Sequence, residues 1–138
     1  MSVEKNKALV RRFLEEFASQ GDLSKTDELL APNFTLYHPA MPGPVDIEGA
    51  KQALTMFRTA FPNFKIVVED LIGEGEKVVA RFKMSATHQG DFMGIAPTGK
   101  QVSMAGIGFY RLEGGKIVED RVVEDMLGLM QQLGVVPM

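Results

Sequence analysis

The sequence predicts an α+β fold in which N-terminal helices pack on one face of a curved, mainly antiparallel sheet. Three observations lead there. Apolar residues recur mostly at helical spacing up to Pro62, then at every second position from Phe64 onward. Gly114-Gly115 and the stretch GEGE, Gly73–Glu76, separate long alternating runs in the way hairpin turns do. The helical segments also come first, and the strands follow as one run.

Each element has its own signal. Leu9, Val10, Phe13, Leu14 and Phe17 recur at three- and four-residue steps, which predicts an amphipathic helix from near Ser2 to Gly21. Asp22 to Leu30 reads as a short second helix closed by Ala31-Pro32. FTLYH (Phe34–His38) has strand composition, and the three prolines between Pro39 and Pro44 require a loop. Asp46 opens a third helix with Ala50, Leu54, Phe57 and Phe61 on one side, stopped by Pro62. Four strands follow: Phe64–Ile72, Lys77–His88, Gln101–Glu113 and Lys116–Asp125. MLGLMQQLG, Met126 to Gly134, reads as a terminal helix. Gly106 and Gly108, on one face of the third strand, mark a bend or a close approach.

The totals narrow the class. The 138 residues fit a single domain spanning 1–138, with 45% apolar and 24% charged residues and a net charge of −3. That charge argues against nucleic-acid or anionic-membrane partners. No cysteine is present, which removes disulfides and thiolate chemistry. The N-terminus is too charged for a signal peptide and no apolar run reaches spanning length, so a cytoplasmic location is the default expectation. Nine methionines and nine phenylalanines suit an irregular core or an adaptable apolar pocket.

GIAPTGK, Gly94–Lys100, comes close to a phosphate-binding loop, but Gln101 stands where Ser or Thr would hold Mg²⁺. A strand follows it rather than a helix, so no helix N-terminus is available for the phosphates. The nucleotide reading fails on context.

The stretches THQGDFMGIAPTGKQV, GIGFYRLEGGKIVED and DMLGLMQQLG occur in this order from about Thr87 to Gly134. They resemble the SnoaL-like polyketide cyclases (ester cyclases) of the nuclear-transport-factor-2-like superfamily, which also holds ketosteroid isomerase and limonene-type epoxide hydrolases. The resemblance implies a cone-shaped α+β barrel around one apolar pocket, no cofactor, a hydrophobic small-molecule ligand, and a homodimer through the outer face of the sheet. It also implies that Asp125 is the general acid/base of an intramolecular aldol closure, a task suited to a carboxylate in an apolar pocket. Asp125 also directly precedes a helix, where it would serve as an N-cap. One departure stands out: many members carry Trp two residues after the glutamate of the last strand, and here that position is Arg121.

Other candidates come from the residues themselves. His88 is in phase with Phe82, Met84 and Ala86, which places an imidazole at the pocket wall or rim, as donor or proton shuttle, or else as a structural group orienting a loop. His38, on a face with Phe34 and Leu36, is a second candidate for that role. Two histidines without a third ligand do not make a metal site. Glu119, Arg121, Val123 and Asp125 share one strand face, and same-face neighbours are roughly 6.6 Å apart, so Glu119 and Arg121 can pair. In the pocket, Arg121 would instead suit a ligand carboxylate. Tyr110 could polarise a carbonyl, or simply pack. Phe13, Phe17, Leu54, Phe57 and Met93 line the cavity in the functional reading and are core in the other.

These expectations converge on a cofactor-free acid/base enzyme acting on an apolar carbonyl compound, of the aldol-cyclisation or isomerisation type. Two alternatives stay open. One is a non-catalytic pocket protein, for which Arg121 is the best argument. The other is an epoxide hydrolase, although the Arg-x-Asp expected on a central strand is missing, Arg81 being followed by Phe82 and Lys83.

Overall fold

The computed structural model describes residues 2–137. Ser2 caps α1 (Val3–Arg12), its hydroxyl accepting the Lys5 N–H at 3.2 Å. The periodicity reads as one regular helix to Gly21, but from Phe13 to Ser19 the backbone widens into a π-helical turn. Phe13, Leu14 and Phe17 are all buried there, and the Phe13 and Phe17 rings stack with centroids 5.2 Å apart. Such wide turns recur at functional sites.

The second helix is shorter than its spacing suggests: a 3₁₀ turn (Leu23–Lys25) and one α turn, α2 (Thr26–Leu29). Strand β1 then begins at Leu30 and passes through Pro32 to Tyr37. A proline is tolerated because β1 lies at the edge of the sheet. Asp46 caps α3 (Ile47–Ala60) by accepting the Gly49 N–H at 2.9 Å. Strands β2 (Lys65–Glu74), β3 (Lys77–Thr87), β4 (Gln101–Glu113) and β5 (Lys116–Glu124) follow, then α4 (Met126–Leu133). The expected turn at Gly73–Glu76 contracts to Gly75-Glu76, with Gly73 and Glu74 extending β2.

The sheet order is β1-β5-β4-β3-β2, with β1 parallel to β5 and every other pair antiparallel. Helices pack on one face of this five-stranded sheet, as the α+β reading requires. Val10, Phe13, Leu14 and Phe17 meet Phe34, Phe82, Tyr110, Leu112 and Ile117 in one core cluster. Ala60, Phe61, Met84, Phe92, Met104, Leu129 and Leu133 form a second at the other end. Each fully buried Leu or Phe contributes about 1.5–3 kcal/mol. Among the described residues no helix is long and apolar enough to cross a membrane.

Gly108 is a close approach. A Cβ there would lie 2.4 Å from the Tyr110 hydroxyl, because that fully buried ring folds back along its own strand. Gly108→Ala is expected to destabilise the protein by about 1–3 kcal/mol through overpacking. Urea denaturation checks this as a lower midpoint at constant slope; an unchanged midpoint would show that the ring moves aside freely.

Candidate functional site

Between α3, the π-helical turn, β1 and the inner face of the sheet lies a cavity of about 590 Å³. Its wall is mostly aromatic and aliphatic. Phe13, Phe17, Leu54, Phe57, Met93 and His38 stand along it, Phe13 and Phe17 belonging to the buried core as well, joined by Phe34, Leu36, Met56, Phe64, Ile66 and Val122. Among the described lining residues there is no lysine or arginine; the charged groups are Asp91, Asp120 and Glu124.

Asp120 and Glu124 come from β5, and a bulge puts them there. The Gly114-Gly115 turn pairs Glu113 with Lys116 and Leu112 with Ile117. Continued regularly, that register would set Tyr110 opposite Glu119. Instead the ladder shifts between Arg111 and Leu112, Ile117 and Val118 are both buried, and Tyr110 pairs with Asp120. Beyond the bulge Asp120, Val122 and Glu124 face inward, while Glu119, Arg121 and Val123 face out. A one-residue shift exchanges the two faces completely.

This corrects two expectations. Arg121 does not line the cavity; it is exposed, pairs with Glu119, and lays its guanidinium over the Tyr37 ring at 3.8 Å. Arg121, at the position where many members carry Trp, therefore takes no part in the cavity wall. Asp125 is exposed as well, and its carboxylate accepts the Gly128 N–H at 2.8 Å as the N-cap of α4.

His88 is corrected too. It sits at the end of the inner face of β3, as its phase predicts, but the ring is fully buried outside the cavity lining and packs on Phe61, centroids 5.4 Å apart. Its Nδ1 accepts the Thr98 N–H at 3.2 Å, and its backbone N–H donates to Lys100 O at 2.9 Å. His88 therefore fastens the base of the 89–100 loop. His88 and Asp125 do not meet across the pocket.

His38 does reach the site. Its Nδ1 accepts the Ala40 N–H at 3.0 Å, which places the ring proton on Nε2, 2.6 Å from Glu124 Oε1. Asp120 is buried, and burial first, then the negative charge of Glu124, raises its carboxyl from 3.8 to about 8. Tyr110 lies just behind the wall: Phe13, which lines the cavity, meets its ring edge-on at 5.9 Å. Burial, followed by the charges of Asp120 and Glu124, pushes its phenol well above 10. Asp120 Oδ1, Tyr110 OH and Glu124 Oε1 are buried without an aligned hydrogen-bond partner among the described residues, although Glu124 Oε1 lies close to His38 Nε2. Buried polar groups are normally satisfied, so this cluster is the polar end of an otherwise apolar cavity. Among the described residues no three His, Asp or Glu side chains gather as a metal-ligand set.

Comparison with known proteins follows the same line. Residues 8–133 match the family model of the SnoaL-like polyketide cyclases. The chain belongs to this family. As a SnoaL-like protein it is 31% identical over 135 residues to aklanonic acid methyl ester cyclase DnrD of Streptomyces peucetius, an alignment covering 91% of this chain and 88% of that one. Among solved structures it is similar to AclR from Streptomyces galilaeus (TM-score 0.88, 30% identity, 99% and 89% of the two chains). It is likewise similar to TsrD from Streptomyces laurentii (TM-score 0.86, 28% identity, 99% of each chain). SnoaL-like relatives named as cyclases support an enzyme, and the cavity supplies candidate groups for the chemistry.

Proposed function

We propose that this SnoaL-like protein is an acid/base enzyme, working without a cofactor, that closes a ring by intramolecular aldol addition in an uncharged, apolar carbonyl compound. One observation carries the reading: two carboxyls, Asp120 and Glu124, share the polar end of an apolar cavity, and burial raises the proton affinity of Asp120. A carboxyl whose surroundings favour its protonated form suits the acid, and a second carboxyl beside it is left to serve as the base. Glu124, whose Oε1 lies beside His38 Nε2, removes a proton from the carbon next to a carbonyl. The enolate carbon attacks a ketone in the same molecule, one C–C bond forms, and the ketone oxygen takes the Asp120 proton. The proton left on Glu124 returns to Asp120 through solvent. The name of the similar methyl ester cyclase supports ring closure as the outcome. Among the described lining residues no arginine completes an Asp-Arg-Asp set, which weighs against epoxide hydrolysis.

The test is deuterium exchange in D₂O, followed by NMR at the acidic carbon of an uncharged aryl β-ketoester. Wild type is expected to accelerate it. Binding of such esters without any acceleration would make the protein a carrier.

The outer sheet face supports a homodimer as a further part of this proposal. Ile107 is 50% exposed and Val123 73% exposed, and the two are directly paired across β4 and β5. Val123→Glu is expected to convert a dimer to a monomer in sedimentation equilibrium; a wild-type monomer at micromolar concentration would sink the idea.

A further inference from the structure

Met93 holds a conformation that methionine avoids. Its φ is 51°, and among the described residues it is the one non-glycine with a positive value. Phe92 and Ile95 exchange both backbone hydrogen bonds, at 3.0 and 2.8 Å, and Gly94 follows with φ 83°. These features define a two-residue type I′ turn, whose first position favours Asn, Asp or Gly. The Asp91 carboxylate accepts the Gly94 N–H at 3.1 Å and tightens the turn.

The surroundings hold the strain in place. Phe92 is buried beneath the tip, its ring 5.5 Å from Phe57 and 5.1 Å from Phe61. Gly90 donates its N–H to Ala60 O at 3.0 Å, so close that a Cβ on it would lie 2.3 Å from Thr59 O. At the far end of the loop, Thr98 is bound to His88 Nδ1. With both flanks fixed, the turn delivers Met93 to a fixed place.

That place is the mouth of the cavity. Met93 lines it while remaining 62% exposed, and Met56 of α3 also lines it at 69% exposed. An exposed, strained methionine gains the fold little, and an asparagine would suit the turn better. Strain kept at a ligand site points to a function for the side chain. A flexible thioether can mould itself to an apolar surface.

We propose that Met93 is a specificity-determining residue that packs with Met56 over the outer end of the bound ligand, so that the apolar shape of that end is selected at the mouth. This rests on the cavity being the ligand site. The probe is N-phenyl-1-naphthylamine, uncharged and fluorescent in apolar surroundings, titrated alongside thermal unfolding. Met93→Asn is expected to raise Tm by about 3 °C as the turn relaxes and to weaken probe binding about tenfold. Met93→Leu, which restores apolar bulk on the same backbone, is expected to bind within about twofold of wild type. Met93→Asn binding as tightly as wild type would overturn the proposal, as would Met93→Leu binding no better than Met93→Asn. Ala53→Trp, which fills the cavity from α3, separates the two levels. Undiminished binding there overturns the cavity reading itself; binding lost in Ala53→Trp but unchanged in Met93→Asn overturns only the role of Met93.

Discussion

Asp120→Asn is expected to make the protein more stable at pH 9 while removing its turnover. In the unfolded chain this carboxyl titrates near 3.8; folded, it holds its proton to about 8. Between those values the native state binds a proton that the unfolded state has released, so stability falls as pH rises from about 4 to about 8. Below that window the group costs nothing, and above it the full cost remains. Every tenfold change in proton affinity between the two states is worth about 1.4 kcal/mol, which makes the whole effect several kcal/mol. Asparagine cannot ionise and removes the slope. Urea denaturation at pH 4, 6 and 9 should give two curves that lie closest at pH 4 and separate steadily up to about pH 8. Parallel pH profiles would mean that Asp120 is not protonated in the folded protein, and its role as general acid would fall. A variant that gains stability and loses chemistry is the signature of a group kept for function.

Glu124→Gln is expected to lower kcat by about 10²–10⁴-fold, the range for loss of a positioned base, with KM changed by less than about threefold. The amide keeps the shape and can still meet His38, so binding survives while proton abstraction does not. Asp125→Ala provides the contrast. It removes the cap of α4, costs about 1 kcal/mol of stability, and leaves kcat alone. If the two results came out reversed, the catalytic carboxylate would be the exposed cap and the assignment made from the cavity would be wrong.

The three long alternating runs and both hairpin turns were readable because a half-buried strand must alternate and a tight turn needs glycine or its substitutes. Strand β4 is found where its pattern places it, Gln101–Glu113. The apolar wall was readable for a related reason: Phe13, Phe17, Leu54 and Phe57 face inward at helical spacing whether they are core or pocket. The π-helical turn was not readable, since Phe13, Leu14 and Phe17 fit a regular helix equally well and only packing widens the backbone there. Nor was the start of β1, where Pro32 reads as a stop until the strand is seen at a sheet edge.

The acids of β5 show where local pattern runs out. IVEDRVVED carries one apolar residue of each adjacent pair on each face, Ile117 with Val123 on one and Val118 with Val122 on the other. Alternation alone therefore cannot say which acids face inward, and the regular hairpin register turns Arg121 and Asp125 toward the pocket. The bulge at Ile117–Val118 and the parallel pairing of Leu36 with Asp120 reverse the answer. The family, the sheet and the greasy wall follow from residue types and their spacing, which are local properties of the chain. The identity of the acid and the base follows from a one-residue shift between strands, and hydrogen bonding to neighbours on both sides sets that shift.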